Sequence, residues 1–350
     1  MSALDRVEPD ALVDLGTRIL LAHGVPQHDA HLVSDSLVTA ELWDHPSHGM
    51  LRLPWYTARL RSGAMTAVTK TASVLDAGAL SVLDGQEGIG QVVTAIACDD
   101  AVRRALTHGV GAVAVRNSNH FGTAAYWTRR MTEGGCIGIL TTNSSPAMAP
   151  WGGREKTVGA NPWSIAAPAG SHAPVILDIA NQSAARGKIY SALEKGQEIP
   201  LGWAVDRDGR PTTDPRVALE GLMLPVGGHK GYGISFMMDV LSGVLTGSSF
   251  ATGVSGPYVP DRRSGSGHFV IALDIERILG REEFGRRIDD LITITKSVPL
   301  AEGADEIFYP GELEARAEER GRAEGIALPE KTRADLRRLA ASSSVDYDLD

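Results

Sequence analysis

The stretch Glu41-Leu42-Trp43-Asp44-His45-Pro46-Ser47-His48-Gly49-Met50-Leu51-Arg52 lies where a helical hydrophobic pattern gives way, after one more helix, to a pattern of strands. His48 and Arg52 are four residues apart, so a helix that resumes after Pro46 would place both on one face beside the Ser47 hydroxyl. A guanidinium binds carboxylate oxygens in pairs, and a histidine exchanges protons near neutral pH. The pairing suits a ligand with a carboxylate next to a carbonyl. The alternative is a Pro-Ser helix start with an exposed histidine and arginine.

The hydrophobic period divides the rest of the chain. Apolar residues at helical spacing predict two helices within residues 8–44 and a third that ends at Gly63. From Thr71 onward, strand patterns alternate with helices such as Gly90 to His108, and helices return after Ile275. The chain has 350 residues, and single cores usually stop growing near ~250–300 residues, so we expect two domains.

The composition argues against several classes of protein. Hydrophobic residues at 43% and charged residues at 22% are ordinary for a soluble globular protein. A net charge of −9 offers no basic stripe for nucleic acid, and no apolar run approaches the ~20 residues of a membrane span. Cys98 and Cys136 form no C-x-x-C pair, and Met1 to Asp10 contains no apolar run. We therefore expect reduced cysteines and a cytoplasmic protein without a signal peptide.

Polar loops follow two of the predicted strands. The strand Val110 to Val115 leads into Arg116-Asn117-Ser118-Asn119-His120-Phe121-Gly122, and site residues tend to collect at such strand ends. His120 is therefore either a second catalytic histidine or a turn residue bonded to the backbone. The strand Cys136 to Thr141 leads into the Gly/Pro/Asn loop Asn143 to Gly153, and long loops inside a compact domain are usually functional.

Two further segments indicate ligand binding. The strand Pro174 to Asp178 ends in an acid, which is either a ligand contact or a helix cap. The segment Gly227-Gly228-His229-Lys230-Gly231-Tyr232-Gly233 opens a predicted helix from Ile234 to Leu245. Glycines at a helix start expose backbone N–H groups to an anion, and Lys230 adds positive charge there.

The residue patterns alone do not name a cofactor or a metal. Gly85, Gly88 and Gly90 give the wrong order for a G-x-G-x-x-G fingerprint, and no P-loop is present. Asp44, His45 and His48 are close in sequence and make a zinc site the other candidate, but no H-E-x-x-H motif or cysteine cluster accompanies them. We therefore predict no metal site.

Several segments, in their order and spacing, resemble the type-2 malate/L-lactate dehydrogenase family. This family includes ureidoglycolate dehydrogenase, sulfolactate dehydrogenase, diketogulonate reductase and the reductases of piperideine- and pyrroline-2-carboxylate. The set of segments covers nearly the whole chain and is specific, although no single segment is. The matching segments are Pro46 to Arg52, Arg116 to Gly122, Asn143 to Pro146, Pro150 to Gly153, Gly159 to Pro162, Gly202 to Asp206, Thr212 to Pro215, Gly228 to Gly233 and Pro310 to Glu312.

The resemblance implies an α+β fold. It consists of a non-Rossmann nucleotide domain with a largely antiparallel or mixed sheet and a helical domain formed from both chain termini. We accordingly expect residues 1–72 and 277–350 to form the helical domain and residues 73–276 to bind the cofactor. The resemblance also implies a homodimer with the site at or near the subunit interface.

The resemblance also implies the site residues. The family's acid/base histidine falls on His48 or His120, beside the substrate-binding candidates Ser47 and Arg52. After Asp178 the family usually has a Met-Ala-Thr-Ser-like run, which differs here and leaves the choice between NAD and NADP open. The segments that contact the cofactor, NAD or NADP, fall on Ser144, Asp178, Ile179, Ala180, Asn181, Lys230, Pro310, Gly311 and Glu312.

We therefore expect an oxidoreductase that transfers a hydride between NAD(P)H and a small 2-oxo or 2-hydroxy carboxylic acid of the malate or lactate type. One alternative is a reductase of a cyclic 2-imino acid, which needs the same carboxylate clamp but protonates nitrogen instead of oxygen. Outside enzymes, the alternative is a module that binds small carboxylates without turnover. Such a module would need Arg52 but not the pair His48 and His120.

Overall fold

A seven-stranded sheet and two groups of helices make up most of the chain. The computed structural model describes residues 6–349, without the side chains of Arg186, Ser191 and Glu194. The helices are α1 (Pro9–Ala22), α2 (Gln27–Leu42), α3 (Leu53–Ser62), α4 (Gly90–His108), α5 (Ala124–Glu133), α6 (Arg186–Glu194), α7 (Pro215–Glu220), α8 (His229–Asp239), α9 (Ile275–Ile278), α10 (Arg281–Lys296), α11 (Glu312–Glu324) and α12 (Glu330–Ser342). The strands are β1 (Arg6–Val7), β2 (Ala72–Ala77), β3 (Leu80–Asp84), β4 (Val110–Ser118), β5 (Cys136–Thr142), β6 (Pro146–Met148), β7 (Val158–Gly159), β8 (Trp163–Ala167), β9 (Val175–Ile179), β10 (Ala204–Val205), β11 (Pro211–Thr212), β12 (Leu222–Met223), β13 (Ser266–Asp274) and β14 (Ile326–Ala327).

The seven-stranded sheet has the order β2-β3-β4-β13-β5-β8-β9. Strands β3 and β4 are parallel, and every other neighbouring pair in this sheet is antiparallel. Helices α4 and α5 pack on it and bury Val93, Trp127 and Leu140. Gly111 of β4 permits this approach, because a Cβ at that position would overlap the carbonyl oxygen of Ala101 in α4.

Both ends of the described chain contribute to a second hydrophobic core. Helices α1, α2, α3 and α12 share it, and β1 pairs with β14 in an antiparallel ribbon. Its fully buried leucines include Leu15, Leu37, Leu53 and Leu336. Helix α10 packs elsewhere, where the Asp289 carboxylate accepts hydrogen bonds from the backbone N–H groups of Gly170 and Ser171. The first and last helices are thus brought together by apolar packing and not by sequence proximity.

A smaller sheet of order β11-β10-β12-β6-β7 carries the predicted long loop. Strand β6 lies within the Asn143 to Gly153 segment, so part of that loop is a strand that pairs with β12 and β7. Met148 of β6 is fully buried against Ile189 and Ala204. The loop is therefore held against a core of its own.

Two predicted helix boundaries are wrong. The chain does not resume an α-helix after Pro46; it forms two 3-10 turns, Pro46–His48 and Met50–Arg52, before α3 begins. Gly49 interrupts the helix, because its backbone adopts ψ −148° and a Cβ there would overlap the Glu41 carboxylate. Helix α8 begins at His229 and not at Ile234, because Gly228 with φ +65° already turns the chain into the helix. By contrast, α4 has the predicted bounds.

None of the helices described in residues 6–349 combines the length and the apolar character that crossing a bilayer requires.

Candidate active site

Two histidines from separate segments stack against each other. His48 ends the first 3-10 turn, and His120 follows strand β4. Their ring centroids are 5.7 Å apart and the ring planes differ by 19°. The Ser47 hydroxyl lies 2.9 Å from Nδ1 of His48. The tertiary structure thus brings together the two histidines between which the sequence could not choose.

Arg52 lies beside this pair without an anionic partner. Its Nε donates a hydrogen bond to the Ser47 carbonyl oxygen at 2.6 Å, and its guanidinium carbon lies 4.4 Å from the Trp55 ring centroid. These two contacts orient the side chain. No carboxylate in residues 6–349 forms an ion pair with Arg52, and the other two guanidinium nitrogens remain available to an anionic ligand.

Both histidines are uncharged at neutral pH. Burial lowers the pKa of His48 to about 3, and the positive charges of Arg52 and His45 add to that effect. Burial, followed by Arg52 and His48, also holds the pKa of His120 well below its ordinary value. The sequence-based expectation of a histidine that titrates near neutrality therefore does not describe the protein without substrate. The main cause is burial, and the uncompensated Arg52 charge adds to it.

Tyr56 is a site residue that the sequence interpretation missed. Its hydroxyl lies 2.7 Å from Nδ1 of His120, and the backbone N–H of Gly122 donates to the same nitrogen at 3.2 Å. Burial raises the pKa of Tyr56 to about 12, against the opposing effects of Arg52 and Gln91. The sequence contained a signal for Tyr56, because Tyr56 follows Arg52 by four residues. The same spacing was the reason to place His48 and Arg52 on one helix face.

Glu41 is a second missed residue, and it anchors the turn that carries His48. Its side chain is buried on α2, and its Oε1 accepts the backbone N–H of Met50 at 2.8 Å. Gly49 packs directly on the carboxylate. The signal in the sequence was an acid next to Ala40 and Leu42 on a helix face that is otherwise buried.

The stability of the protein is expected to fall between pH 4.5 and 7 because of Glu41. Burial raises the pKa of this carboxyl to about 7, and the Met50 N–H only partly opposes the effect. The folded state therefore favours protonated Glu41. The stability that this protonation contributes is complete below the pKa of Glu41 in the unfolded chain and is lost by about pH 7. A shift of this size corresponds to about 3 kcal/mol.

The measurement is the free energy of unfolding at pH 5 and pH 8 for the wild type and Glu41→Gln. Gln keeps an acceptor for the Met50 N–H but does not titrate. The variant should lose less stability than the wild type between the two pH values. Glu8→Gln, at an exposed position, is the control, and equal losses for Glu41→Gln and the wild type would contradict the assignment.

Asp178 connects the edge strand β9 to the His120 segment. Its Oδ2 accepts the backbone N–H of Ala125 at 2.8 Å, at the start of α5. Burial raises the pKa of Asp178, and the bond from Ala125 opposes the rise. The carboxylate thus caps α5, which was one of the two interpretations of this acid. Ile179 ends the strand and pairs with Trp163, and Ala180 is exposed immediately after it.

Two buried asparagines hold the other predicted cofactor segments together. Asn161 accepts the backbone N–H of Ser144 at 2.9 Å through its side-chain oxygen and donates to the Ser235 carbonyl in α8. Asn181 donates to the Asn161 carbonyl at 2.7 Å, and its own carbonyl accepts the N–H of Val226. Ser144 and the segment that precedes Lys230 are therefore joined through these amides. Lys230 itself is exposed at the start of α8.

The segment Pro310 to Glu312 lies along the edge strand β9. The Pro310 carbonyl accepts the Ile176 N–H at 2.9 Å, and a Cβ at Gly311 would lie only 3.0 Å from that nitrogen. The Glu312 carboxylate forms ion pairs with Lys296 at 2.7 Å and with Arg316 at 2.6 Å. The Glu312 carboxylate is thus occupied by ion pairs, and the carbonyls of Pro310 and Gly311 and the N–H of Glu312 are hydrogen-bonded within the protein.

A cavity lies next to this segment. Its volume is about 270 Å³, and Trp43, Ile176, Gly311 and Glu318 are among its lining residues. In the described part of the chain, no group of three or more His, Cys, Asp or Glu side chains is placed to hold a metal ion.

Comparison with known proteins identifies relatives over almost the whole chain. The family model for malate/L-lactate dehydrogenase matches residues 7–337. The solved structure of sulfolactate dehydrogenase from Methanocaldococcus jannaschii is 40% identical, with a TM-score of 0.93 over 97% of this chain and 98% of that chain. The (2R)-3-sulfolactate dehydrogenase (NADP(+)) of Chromohalobacter salexigens is 35% identical over 94% of this chain and 96% of its own length.

A further relative represents the second enzyme class that the resemblance implied. The Delta(1)-pyrroline-2-carboxylate/Delta(1)-piperideine-2-carboxylate reductase of Pseudomonas putida is 32% identical over 97% of this chain and 98% of its own length. Both hydroxy-acid dehydrogenases and a cyclic-imine reductase are thus full-length relatives. The family predicted from the sequence is confirmed, and the chain belongs to the malate/L-lactate dehydrogenase family.

Proposed function

We propose that this protein is an NAD(P)-dependent oxidoreductase that interconverts a small 2-hydroxy carboxylic acid and the corresponding 2-oxo acid. The observation that carries the proposal is Arg52, a guanidinium without a carboxylate partner next to two neutral histidines. An unpaired cation in a partly buried site favours an anionic ligand. Two adjacent histidines supply a proton exchange that carboxylate binding alone would not need.

In the proposed mechanism Arg52 binds the substrate carboxylate through its two free nitrogens. Ser47 and Trp55 already hold the guanidinium in place, so less conformational freedom is lost on binding. The bound carboxylate also compensates the charge that lowers the pKa of His48. Substrate binding should therefore raise that pKa and make proton uptake by His48 easier.

The nicotinamide ring, when bound, supplies or accepts the hydride at the carbon next to the carboxylate. In the oxidative direction neutral His48 accepts the proton of the substrate hydroxyl. In the reductive direction protonated His48 donates to the oxygen as negative charge develops on it. Ser47, bonded to Nδ1 of His48, keeps the ring oriented during the exchange.

The residues at the predicted cofactor segments fit a dinucleotide by their chemistry. Gly227 and Gly228 adopt positive φ before α8, with open space at Gly227 and Trp151 packed against Gly228. The first N–H groups of α8 would meet an anion together with the Lys230 ammonium. Ser144 offers a hydroxyl in the adjoining loop. Lys230 and the start of α8 would hold the phosphates of the dinucleotide, and the Gly311 backbone would approach the rest of the dinucleotide beside β9.

Replacing Lys230 by Ala is expected to weaken cofactor binding about 10-fold with little change in substrate affinity, since one charge-assisted contact is lost. The measurement is the dissociation constant of NADH and of NADPH by fluorescence titration without substrate. Lys331→Ala, at an exposed position of α12, is the matched control. An unchanged dissociation constant for both cofactors in Lys230→Ala would remove Lys230 from the site.

A second candidate function is reduction of a cyclic 2-imino acid. It is favoured by the cyclic-imine reductase among the full-length relatives, and Arg52 would bind its carboxylate in the same way. The deciding experiment supplies pyruvate, oxaloacetate, sulfopyruvate and piperideine-2-carboxylate with NADH or NADPH and follows cofactor absorbance. Turnover of a 2-oxo acid supports the main proposal, whereas turnover of the imine alone selects the second. Binding without any turnover would indicate a carboxylate-binding module.

We also propose the finer organisation of the fold. The helical domain combines residues 1–72 and 277–350 around the core shared by α1, α2, α3 and α12, and residues 73–276 form a non-Rossmann nucleotide domain. Free, buried Cys98 and Cys136 support a reducing, cytoplasmic location.

The proposed assembly is a homodimer. Exposed apolar side chains on and after α8, such as Phe236, Met237, Val244 and Leu245, form a surface suited to a partner. Sedimentation velocity should give the mass of two chains at assay concentration. A fully active species with the mass of one chain would overturn this assignment.

A further inference from the structure

We propose that Tyr56 and the Gly122 backbone hold neutral His120 in the tautomer that carries its proton on Nε2, so that His120 donates a hydrogen bond to the substrate oxygen while His48 exchanges the proton. This inference rests on the proposed function and divides the work between the two histidines. It also makes Tyr56 a positioning residue, since Tyr56 acts through His120.

The Gly122 amide indicates which nitrogen of His120 carries the proton. A backbone N–H can only donate, and it points at Nδ1 of His120 at 3.2 Å. Nδ1 must therefore accept and cannot carry a proton. The Tyr56 hydroxyl, 2.7 Å from the same nitrogen, must then donate as well. In a neutral imidazole the one proton is consequently on Nε2.

The surroundings of Tyr56 support this direction of donation. Gln91 is fully buried next to the hydroxyl, and its side chain opposes the rise in the Tyr56 pKa, as a donor to the phenol oxygen does. His120 is thus the acceptor that the hydroxyl has. The phenol is also buried, which disfavours its ionised form.

Burial, and after it the charged and titratable groups around His120, lower its pKa and keep it neutral. Arg52, His48, His268 and Arg59 all face it, and each disfavours a second proton. His268 is itself buried between the hydroxyls of Ser118 and Thr142. A protonated His120 would also place a proton on Nδ1 against the Gly122 N–H. His120 therefore donates a hydrogen bond from Nε2 in its neutral form, and it rarely takes up the second proton that a general acid would pass to the substrate.

His48 has no such restraint. Nδ1 of His48 meets the Ser47 hydroxyl, which can donate or accept. His48 can therefore change its tautomer and charge without losing that bond. The difference in partners assigns proton exchange to His48 and hydrogen-bond donation to His120.

The division also bears on the class of substrate. A carbonyl or alkoxide oxygen accepts a hydrogen bond from Nε2 of His120. The nitrogen of a protonated cyclic imine carries a proton and cannot accept one. The fixed donor therefore disfavours the protonated form of a cyclic 2-imino acid, whereas a 2-oxo acid, a 2-hydroxy acid or an unprotonated imine nitrogen can accept its hydrogen bond.

The first test reads the tautomer directly and needs neither substrate nor turnover. Two-bond proton–nitrogen correlation spectra of protein with ¹⁵N-labelled histidine are recorded from pH 5 to pH 9, and His120→Gln identifies the His120 signals. The expected result is a neutral ring with its proton on Nε2 throughout this range. A proton on Nδ1, or titration of His120 within the range, would overturn the proposal. Because no reaction is involved, failure here is distinct from failure of the proposed function.

The second test uses variants and kinetics. Gln carries an N–H donor near the position of Nε2, so His120→Gln should retain more kcat than His120→Asn, whereas no such rescue is expected of Gln at His48. Tyr56→Phe should lower kcat by about 2- to 10-fold, the worth of one hydrogen bond, with KM nearly unchanged. It should also shift the Nδ1 resonance of His120 while the proton stays on Nε2, because the Gly122 N–H still points at Nδ1. Tyr126→Phe, which removes a phenol bonded to Asp35, controls for the loss of a hydroxyl. Equal losses in His120→Gln and His120→Asn, or an Nδ1 resonance of His120 that stays at its wild-type position in Tyr56→Phe, would contradict the inference.

Discussion

His48→Asn is expected to lower kcat by about 10²–10⁴-fold in both directions, the usual contribution of general acid–base catalysis. Asn can still bond to Ser47, but it cannot take or give the proton that accompanies hydride transfer. Substrate affinity should change little, because Arg52 and not His48 binds the carboxylate in this proposal. Initial rates under saturating cofactor measure kcat and KM separately.

The pH dependence gives this variant a second signature. The pKa of His48 is about 3 in the free protein, so the proton-accepting form already predominates at pH 5 and above. The oxidative kcat/KM of the wild type should therefore be flat from pH 5 to pH 9. The reductive kcat/KM should fall about tenfold per pH unit, because it needs the protonated minority form. His48→Asn should lose this slope.

The control for His48→Asn is His28→Asn, since His28 is exposed on α2 with 90% of its side chain accessible. Retained turnover and an unchanged slope in His48→Asn, together with loss of both in His120→Asn, would make His120 the acid. His48 would then be only a hydrogen-bond partner of the substrate.

Arg52→Lys is expected to raise KM for the carboxylate substrate about 10- to 100-fold, the worth of a charge-assisted hydrogen bond. Lysine keeps the charge but loses the planar fork, the bond to the Ser47 carbonyl and the stacking on Trp55. A misplaced carboxylate also misaligns the carbonyl carbon, so discrimination against substrates without a carboxylate should weaken. Steady-state kinetics with a 2-oxo acid and its amide measure both effects.

Arg52→Gln separates charge from geometry. Removing the cation should raise the pKa of His48 from about 3, whereas Arg52→Lys should leave it low; histidine spectra over pH report the difference. Arg61→Lys, at an exposed position of α3, is the matched control. An unchanged KM in both Arg52 variants would show that another group binds the carboxylate.

Local patterns were sufficient for most of the elements. Helix α4 was predicted from Gly90 to His108 because its apolar residues repeat at helical spacing and Gly109 with φ +89° ends it. The early start of α8 follows from the neighbouring Gly228, whereas the failure after Pro46 occurred where a residue on another element decides the backbone. The turn at Gly49 depends on the Glu41 carboxylate. Local helix propensity cannot predict this contact, because Glu41 lies on α2 and Gly49 lies on the other side of Pro46.

The sequence by itself determined the family and the residue types of the site, because the motifs around His48, His120 and Lys230 keep their order and spacing along the chain. Only the tertiary structure brought those residues together. The stacking of His48 on His120 and the contact of the Tyr56 hydroxyl with Nδ1 of His120 join separate segments of the chain, and no carboxylate in the described part of the chain pairs with Arg52. Protonation and tautomer depend on burial and on neighbouring charges in space, and a linear pattern contains neither.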